Sequence, residues 1–519
     1  MASIGLCDLP VELLAHMVAT YLTTKDLGAL RLTCKGLERV LFDPFGLEFF
    51  TKKQFMLTTP SLQTLIDISN HGGLSKFLKH VIIGLEEFHT LFPPSFGGAN
   101  EKFHRYCEAQ ADQVSLIHTG GDREMLAEAF RNLPNLETIE IRDYSATGRV
   151  REGSPSARWR SYGLTTIQQE TGISIQASSD NKWINTVTRT FPMLIMAAAD
   201  AGVRPKNLQA FLRHGPNLTE SSFYLPDRLK AKIDPVLDGL QSLLLTVSVS
   251  NGYLPNGLHG ANFGSSTSIG SLAKFLARTP NLVQLRLNSD TTSNTSNLLE
   301  WLGTPDSSTP SPTLVEPYSF IPPIAFAQLQ RLDLGMTSTQ LEPLLKLIAK
   351  FASTLRTLSL WKVDLTYQFG GSIPQTDLEH RPSPWNRLLS SIMRIPHVGI
   401  NHLMLGKINQ KGSTTYYEPS IPIVFQVDPN MPRVRGRKEF NVSRGDKAVT
   451  VNDQLELKGE TAKILGEARE RLLVNWPPDP VPTNSEDENS EDDEDNEDNE
   501  DDEMADVEPE EEDAEDGNQ

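Results

Sequence analysis

Leu329-Gln330-Arg331-Leu332-Asp333-Leu334 is followed 26 residues later by Leu355-Arg356-Thr357-Leu358-Ser359-Leu360. Both read apolar-x-x-apolar-x-apolar. The last four positions alternate in the way a strand with one buried face requires. The same triplet stands at Leu78, Val81, Ile83; at Leu136, Ile139, Ile141; at Leu240, Leu243, Leu245; at Leu282, Leu285, Leu287; and at Ile400, Leu403, Leu405. Helix-like stretches such as Leu272 to Ala277 and Leu344 to Phe351 precede several copies, and Leu62, Leu65 and Ile66 precede the first. Turn signals lead in at Leu133-Pro134-Asn135, at Thr279-Pro280-Asn281 and at His214-Gly215-Pro216-Asn217, the last before a weaker copy at Leu218. The pattern predicts a repeating helix, tight turn and short strand. Stacked units of this kind form a parallel sheet whose core no single unit could bury.

Successive triplets start 58, 104, 42, 47, 26 and 45 residues apart. Only one step lies within the leucine-rich-repeat period of about 20–29 residues, so the others require insertions or a missed copy. The array resembles a degenerate leucine-rich-repeat domain, without that family's Asn or Cys after the strand: the matching positions hold Tyr144, Ser248, Asp290, Thr337 and Val363. The alternative is an irregular α/β domain whose buried strands share leucines. Residues 93–100, 146–181, 290–297, 303–312 and 369–384 are rich in Gly, Ser, Thr, Pro and Asn and read as surface loops. Aromatic and arginine side chains beside them, including Trp159, Trp361 and Arg160, suit partner contact or simple tethering to the core, and none is nominated as a site.

The first fifty residues follow another rhythm. Leu14, Met17, Val18, Tyr21 and Leu22 share one face of a helix that begins near Pro10. Thr23 to Asp26 offers caps for a second helix carrying Leu27, Leu30 and Leu32, and Thr33 can cap a third carrying Cys34, Leu37, Val40 and Leu41. A unit this small buries too little of its own surface, so part of its apolar face is expected to await a partner. The other reading is an N-terminal cap buried against its own chain.

Leu9-Pro10-x-Glu12-Leu13-Leu14, then Tyr21-Leu22, then Asp26-Leu27-x-x-Leu30-Arg31-Leu32-Thr33-Cys34 closely resembles the F-box. Leu37 stands where many members of that family carry Trp. The resemblance implies a helical module that docks on the Skp-type adaptor of a cullin-RING ubiquitin ligase, with adaptor contacts assigned to Leu9, Pro10, Leu13, Leu14, Leu27, Leu30 and Cys34. The chain would then be a non-catalytic receptor, holding an unidentified protein substrate on its repeat domain while other subunits transfer ubiquitin. The alternative is an adaptor-bound scaffold outside any ligase, using its acidic tail to bind basic partners.

The net charge of −19 is local: residues 485–519 hold 22 acids and no Lys or Arg, which leaves 45 acids against 48 bases elsewhere. Such a tail is expected to stay disordered, and Ser485 and Ser490 resemble acidophilic kinase sites. Arg433, Arg435, Arg437, Lys438, Arg444 and Lys447 are too dispersed to carry a nucleic-acid prediction. Cys7, Cys34 and Cys107 fit no disulfide framework or zinc site, and His104, Cys107 and His118 are too loosely spaced for a metal. No leader or membrane span is expected, which points to cytosol or nucleus. No phosphate loop, dinucleotide fingerprint, HExxH or GxSxG is present, so no catalytic group and no cofactor are assigned. Glu140 and Asp143 read as a solvated rim. The expected organisation is an all-α module over 1–50, an irregular α/β solenoid over 51–425, a basic, partly helical extension over 426–484 and the acidic tail over 485–519.

Overall fold

The computed structural model describes residues 6, 9–88, 101–147, 158–173, 175, 184–214, 216–248, 270–289, 295–306, 321–367, 383–412, 420–427, 439–444 and 447–475. They form a mixed α/β fold built on one mostly parallel sheet, with fourteen helices among them. Three helices open the chain: α1 (Val11–Tyr21), α2 (Thr24–Arg31) and α3 (Lys35–Phe50). Strands and helices then alternate: β1 (Lys52–Met56), α4 (Thr59–Asn70), β2 (His80–Gly84), α5 (Glu101–Thr119), α6 (Gly121–Arg131) and β3 (Thr138–Arg142). After a two-residue hairpin, β4 (Ala146–Thr147) with β5 (Arg158–Trp159), come α7 (Leu164–Thr171), α8 (Ile184–Ala201), β6 (Asn207–Phe211), α9 (Lys230–Leu237) and β7 (Ser242–Thr246). The series continues through α10 (Ser271–Leu276), β8 (Gln284–Asn288), α11 (Ser296–Gly303), β9 (Arg331–Gln340), α12 (Leu341–Lys350), β10 (Thr357–Tyr367), α13 (Pro384–Ile392), β11 (His402–Gly406) and β12 (Asn409–Gly412).

The parallel strands lie side by side in chain order, β1-β2-β3-β6-β7-β8-β9-β10, and β10 then pairs with both β11 and β12. The repeated triplets explain that order. Val81, Ile139, Leu208, Leu243, Leu285, Leu332, Leu358 and Leu403 are direct register partners, strand to strand. Ile83, Ile141, Ala210, Leu245, Leu287, Leu334, Leu360 and Leu405 form a second such row. Both rows are buried, and each large side chain in them stabilises by about 1.5–3 kcal/mol. Asn135 and Asn281 of the turn signals tie each turn to its predecessor, donating to the carbonyls of Lys76 and Asp238.

The 104-residue gap conceals β6, whose triplet is Pro205, Leu208, Ala210. Pro205 is buried where other copies place leucine, and Ala210 stands for the last large residue. The weaker copy at Leu218 forms only an isolated bridge to Val247. Thr33 is not the cap of α3: Cys34 occupies that position, its Sγ accepting from the Leu37 N–H at 3.4 Å, while the Thr33 hydroxyl donates to the Leu30 carbonyl.

Met336, Lys362 and Lys407 share a left-handed backbone, with φ of 48°, 52° and 47°. They follow the register partners Gly335, Trp361 and Gly406, so adjacent strands turn the same corner together. Beyond it, β13 (Ile421–Gln426), β14 (Glu439–Arg444), β15 (Lys447–Asn452), β16 (Gln454–Lys458), α14 (Thr461–Arg471) and β17 (Leu472–Val474) finish the sheet in antiparallel fashion. Because β16 pairs with β11 and β17 with β13, the sheet does not stop at residue 425. Most of the loop segments read from composition, with Ser485, Ser490 and the rest of the acidic tail, lie outside the described residues.

Candidate docking site

The opening helices have a small core of their own. Leu14, Val18, Leu27, Leu37, Leu41 and Phe49 are buried together, with Leu22, Leu30, Val40 and Phe45 packed against them. A capping box starts α2, Thr23 accepting from the Asp26 N–H while the Asp26 carboxylate accepts from the Thr23 N–H. Arg31 joins α2 to α3: its guanidinium lies 3.6 Å from the Phe45 ring centroid and pairs with Glu38 at 2.6 Å.

That core covers only half of the apolar stripe on α1. Leu14 and Val18 face inward, whereas Val11, Leu13, Met17 and Tyr21 are exposed, Leu13 by 54 % and Tyr21 by 76 %. Residues 13, 17 and 21 are one helical turn apart and form a continuous strip. Of the twelve exposed large hydrophobic residues among the described positions, seven fall in the first fifty: these four with Leu6, Leu32 and Leu47. Exposed apolar residues are thus concentrated in this stretch of the chain, where scattered single ones are ordinary.

The residues assigned to adaptor contact divide accordingly. Pro10, Leu13 and Cys34 are exposed, and Leu9 and Leu30 are half-buried. Leu14 and Leu27 are each 1 % exposed, so they hold the face from beneath. Met17, Tyr21 and Leu32 were not among the assigned contacts, although the width of the α1 stripe signals the first two.

The module is fixed to the body. Gly46 of α3 lies against the Phe77 ring, Gly73 against the Phe42 ring, and Lys76 pairs with Asp43 at 3.1 Å. Phe50, at the end of α3, packs against both hydrophobic cores.

On the body, the sheet face opposite the helices carries the polar residues between the apolar rows. Near β1–β3 this face is closed, and the expected solvated rim at Glu140 and Asp143 is corrected: Glu140 is fully buried and Asp143 is 6 % exposed. Arg142, two residues along the same strand, reaches Glu140 at 2.6 Å, and His80 of the adjacent β2 reaches it at 2.7 Å. Burial works to raise the Glu140 carboxyl, but these partners outweigh it and hold it well below the ordinary range. At His80 burial is the largest influence and, with repulsion from the Lys52 and Arg142 cations, it outweighs the pull of Glu140 and lowers the pKa. Asp143 accepts from the backbone N–H groups of Arg213 and His214. Glu86 is raised by burial, against the Ser161 hydroxyl that donates to it at 2.6 Å. These groups answer one another only in part, since Oε2 of Glu86 and Nη1 of Arg142 are buried without a hydrogen-bond partner, and among the described residues no three His, Cys, Asp or Glu gather as a metal site.

Toward β8–β10 the same face carries half-buried arginines around buried Asp333 and Ser359. Arg286 and Arg331 flank Asp333 at 3.7 and 2.9 Å, and the Trp361 indole lies over Gly406. No protein-family model matches the chain, and no curated protein matches it. No helix among the described residues is long and apolar enough to cross a membrane.

Proposed function

We propose that this chain is the target-recognition subunit of a cullin-RING ubiquitin ligase. Its opening helices would act as an F-box that docks on a Skp-type adaptor, and its sheet and helices as a leucine-rich-repeat-like solenoid that holds a target protein. The observation carrying this reading is the uncovered strip Leu13, Met17 and Tyr21 above a finished core. A stable interface there would bury about 1,200–2,000 Å² in total. The joint at Gly46 and Phe77 then serves the function by holding target and adaptor at a constant separation, so that catalysis by proximity needs no reactive residue in this chain.

The test is co-purification of the full chain with the adaptor. Leu13→Asp with Met17→Asp, and separately Leu9→Ala with Pro10→Ala, abolish it while the thermal transition stays in place. Unchanged co-purification overturns the reading. Recovery of adaptor without cullin or ubiquitin conjugates would instead support the scaffold role.

A further inference from the structure

A cluster of lysines at the turned corner of the sheet has no use in the proposed adaptor contact. Lys362 and Lys407 occupy equivalent left-handed positions on neighbouring segments, and Lys411 lies on β12, opposite Thr366 of β10. All three are half-exposed, and none has an ion-pair partner among the described residues. Lysines elsewhere are commonly paired: Lys76, Lys206, Lys230, Lys232, Lys346 and Lys350 all are. The acids bordering the corner do not answer the charge fully. Asp364 accepts from the Asn409 amide and the Ser420 hydroxyl, neutral donors that leave its charge in place, and Asp453 meets Lys407 through its backbone carbonyl, so three lysines stand against two acids. The Trp361 indole and the pair Arg286 and Arg331 lie on adjoining strands.

The topology brings the root of the acidic segment to this place. β17 pairs with β13, the Asn475 N–H donates to Pro422, and Pro422 is the register partner of Asn409, two residues before Lys411. Two strand spacings, about 10 Å, therefore separate the last described residues from the lysine-bearing strand. From Asn475 to the first acid of the tail, Glu486, the chain is eleven residues long, up to ~36 Å when extended. Residues 485–519 then supply 22 acids with no base. A tethered contact with so short a spacer operates at an effective concentration on the order of millimolar.

We propose that the acidic segment 485–519 docks in cis on the corner formed by Lys362, Lys407 and Lys411. The contact is independent of the proposed receptor role.

Two measurements on the full chain test it. A zero-length carbodiimide, which joins a lysine amine to a touching carboxylate with loss of water, should link Lys362, Lys407 or Lys411 to carboxylates beyond residue 485. The yield should not depend on protein concentration and should vanish near 1 M salt, where the screening length is about 3 Å. The hydrodynamic radius should rise with salt as the segment is released, and the variant Lys362→Gln/Lys407→Gln/Lys411→Gln should begin expanded. With each lysine worth roughly 1.4- to 5-fold in the docking equilibrium, the triple variant loses about 3- to 100-fold. Tail carboxylates linked only to other lysines, such as Lys438 and Lys447, would overturn the proposal. So would a radius that contracts with salt, as expected of an undocked polyanion whose self-repulsion is screened. Adaptor co-purification enters neither readout, so failure here is distinct from failure of the receptor role.

Discussion

Gly46 and Phe77 touch across the joint between the opening helices and the sheet: a Cβ on Gly46 would overlap the Phe77 ring, which is itself 8 % exposed. Glycine inside a helix costs roughly 0.5–1 kcal/mol relative to alanine, and here that cost is offset by close approach of α3 to the body. Gly46→Ala should therefore destabilise despite its better helix propensity. The expected loss is about 1–3 kcal/mol, the usual range for overpacking. Limited proteolysis should then cut near residue 51, where the native chain resists. A variant as stable and resistant as the native chain would show that the joint is not tight.

Leu13 and Leu14 are neighbours with opposite duties. Leu14 is 1 % exposed within the module core, so Leu14→Ala should cost about 2–5 kcal/mol. Leu13, more than half exposed, should leave stability within about 0.5 kcal/mol when changed to alanine. Urea titration of the two variants distinguishes them. Equal losses would mean that Leu13 is covered by this same chain.

The sheet was legible because its rows need large apolar residues at a constant offset, and seven strands satisfy that in full. β6 escaped because buried Pro205 and Ala210 replace two of its three leucines, although the register accepts them. The asparagine ladder is missing where β9 and β10 turn through Met336 and Lys362 and run on as longer strands. Such a left-handed bend in Met or Lys has no signature in composition. At the candidate site, the apolar width of α1 could be read from spacing. Which half of it α2 and α3 would cover could not, since that depends on helix crossing. The burial of Glu140 is hidden for a related reason: Arg142 stands two residues along the same strand and is visible in the sequence, but His80 becomes a partner only through the pairing of β2 with β3.

Met336 offers a test of the corner. A non-glycine residue at φ 48° carries about 1–2 kcal/mol of backbone strain, and glycine there would relieve it at an entropic cost of about 0.5–1 kcal/mol. Met336→Gly should thus leave stability unchanged or raise it by up to about 1.5 kcal/mol. In a β-strand with ordinary backbone the same substitution destabilises. A loss above 1 kcal/mol in chemical denaturation would show that the Met336 side chain matters more than its backbone.

Glu86 should make the fold sensitive to pH in the direction opposite to a paired carboxylate. Its Oε1 accepts from Ser161 at 2.6 Å and from Gln54 at 3.4 Å, while its buried Oε2 has no hydrogen-bond partner. Burial raises its folded pKa above 4.5, the value expected in the unfolded chain. Between those two values the folded state binds the proton that the unfolded state has released, so stability contributed by the neutral acid is lost as pH rises through the folded value. Glu86→Gln keeps an oxygen for Ser161 and Gln54 and removes the charge. It should raise stability at pH 7 by about 1 kcal/mol, the lower end of the penalty for an unpaired buried group. At pH 4 the native carboxyl is already protonated, and the two proteins should unfold together. His80 and Glu140, with folded values below their unfolded ones, pull the other way: their contributions are lost as pH falls below 6.5 and 4.5 respectively. Comparing the variant with the native chain at each pH cancels those terms. A gain that persists unchanged at pH 4 would assign the effect to packing rather than to the buried proton.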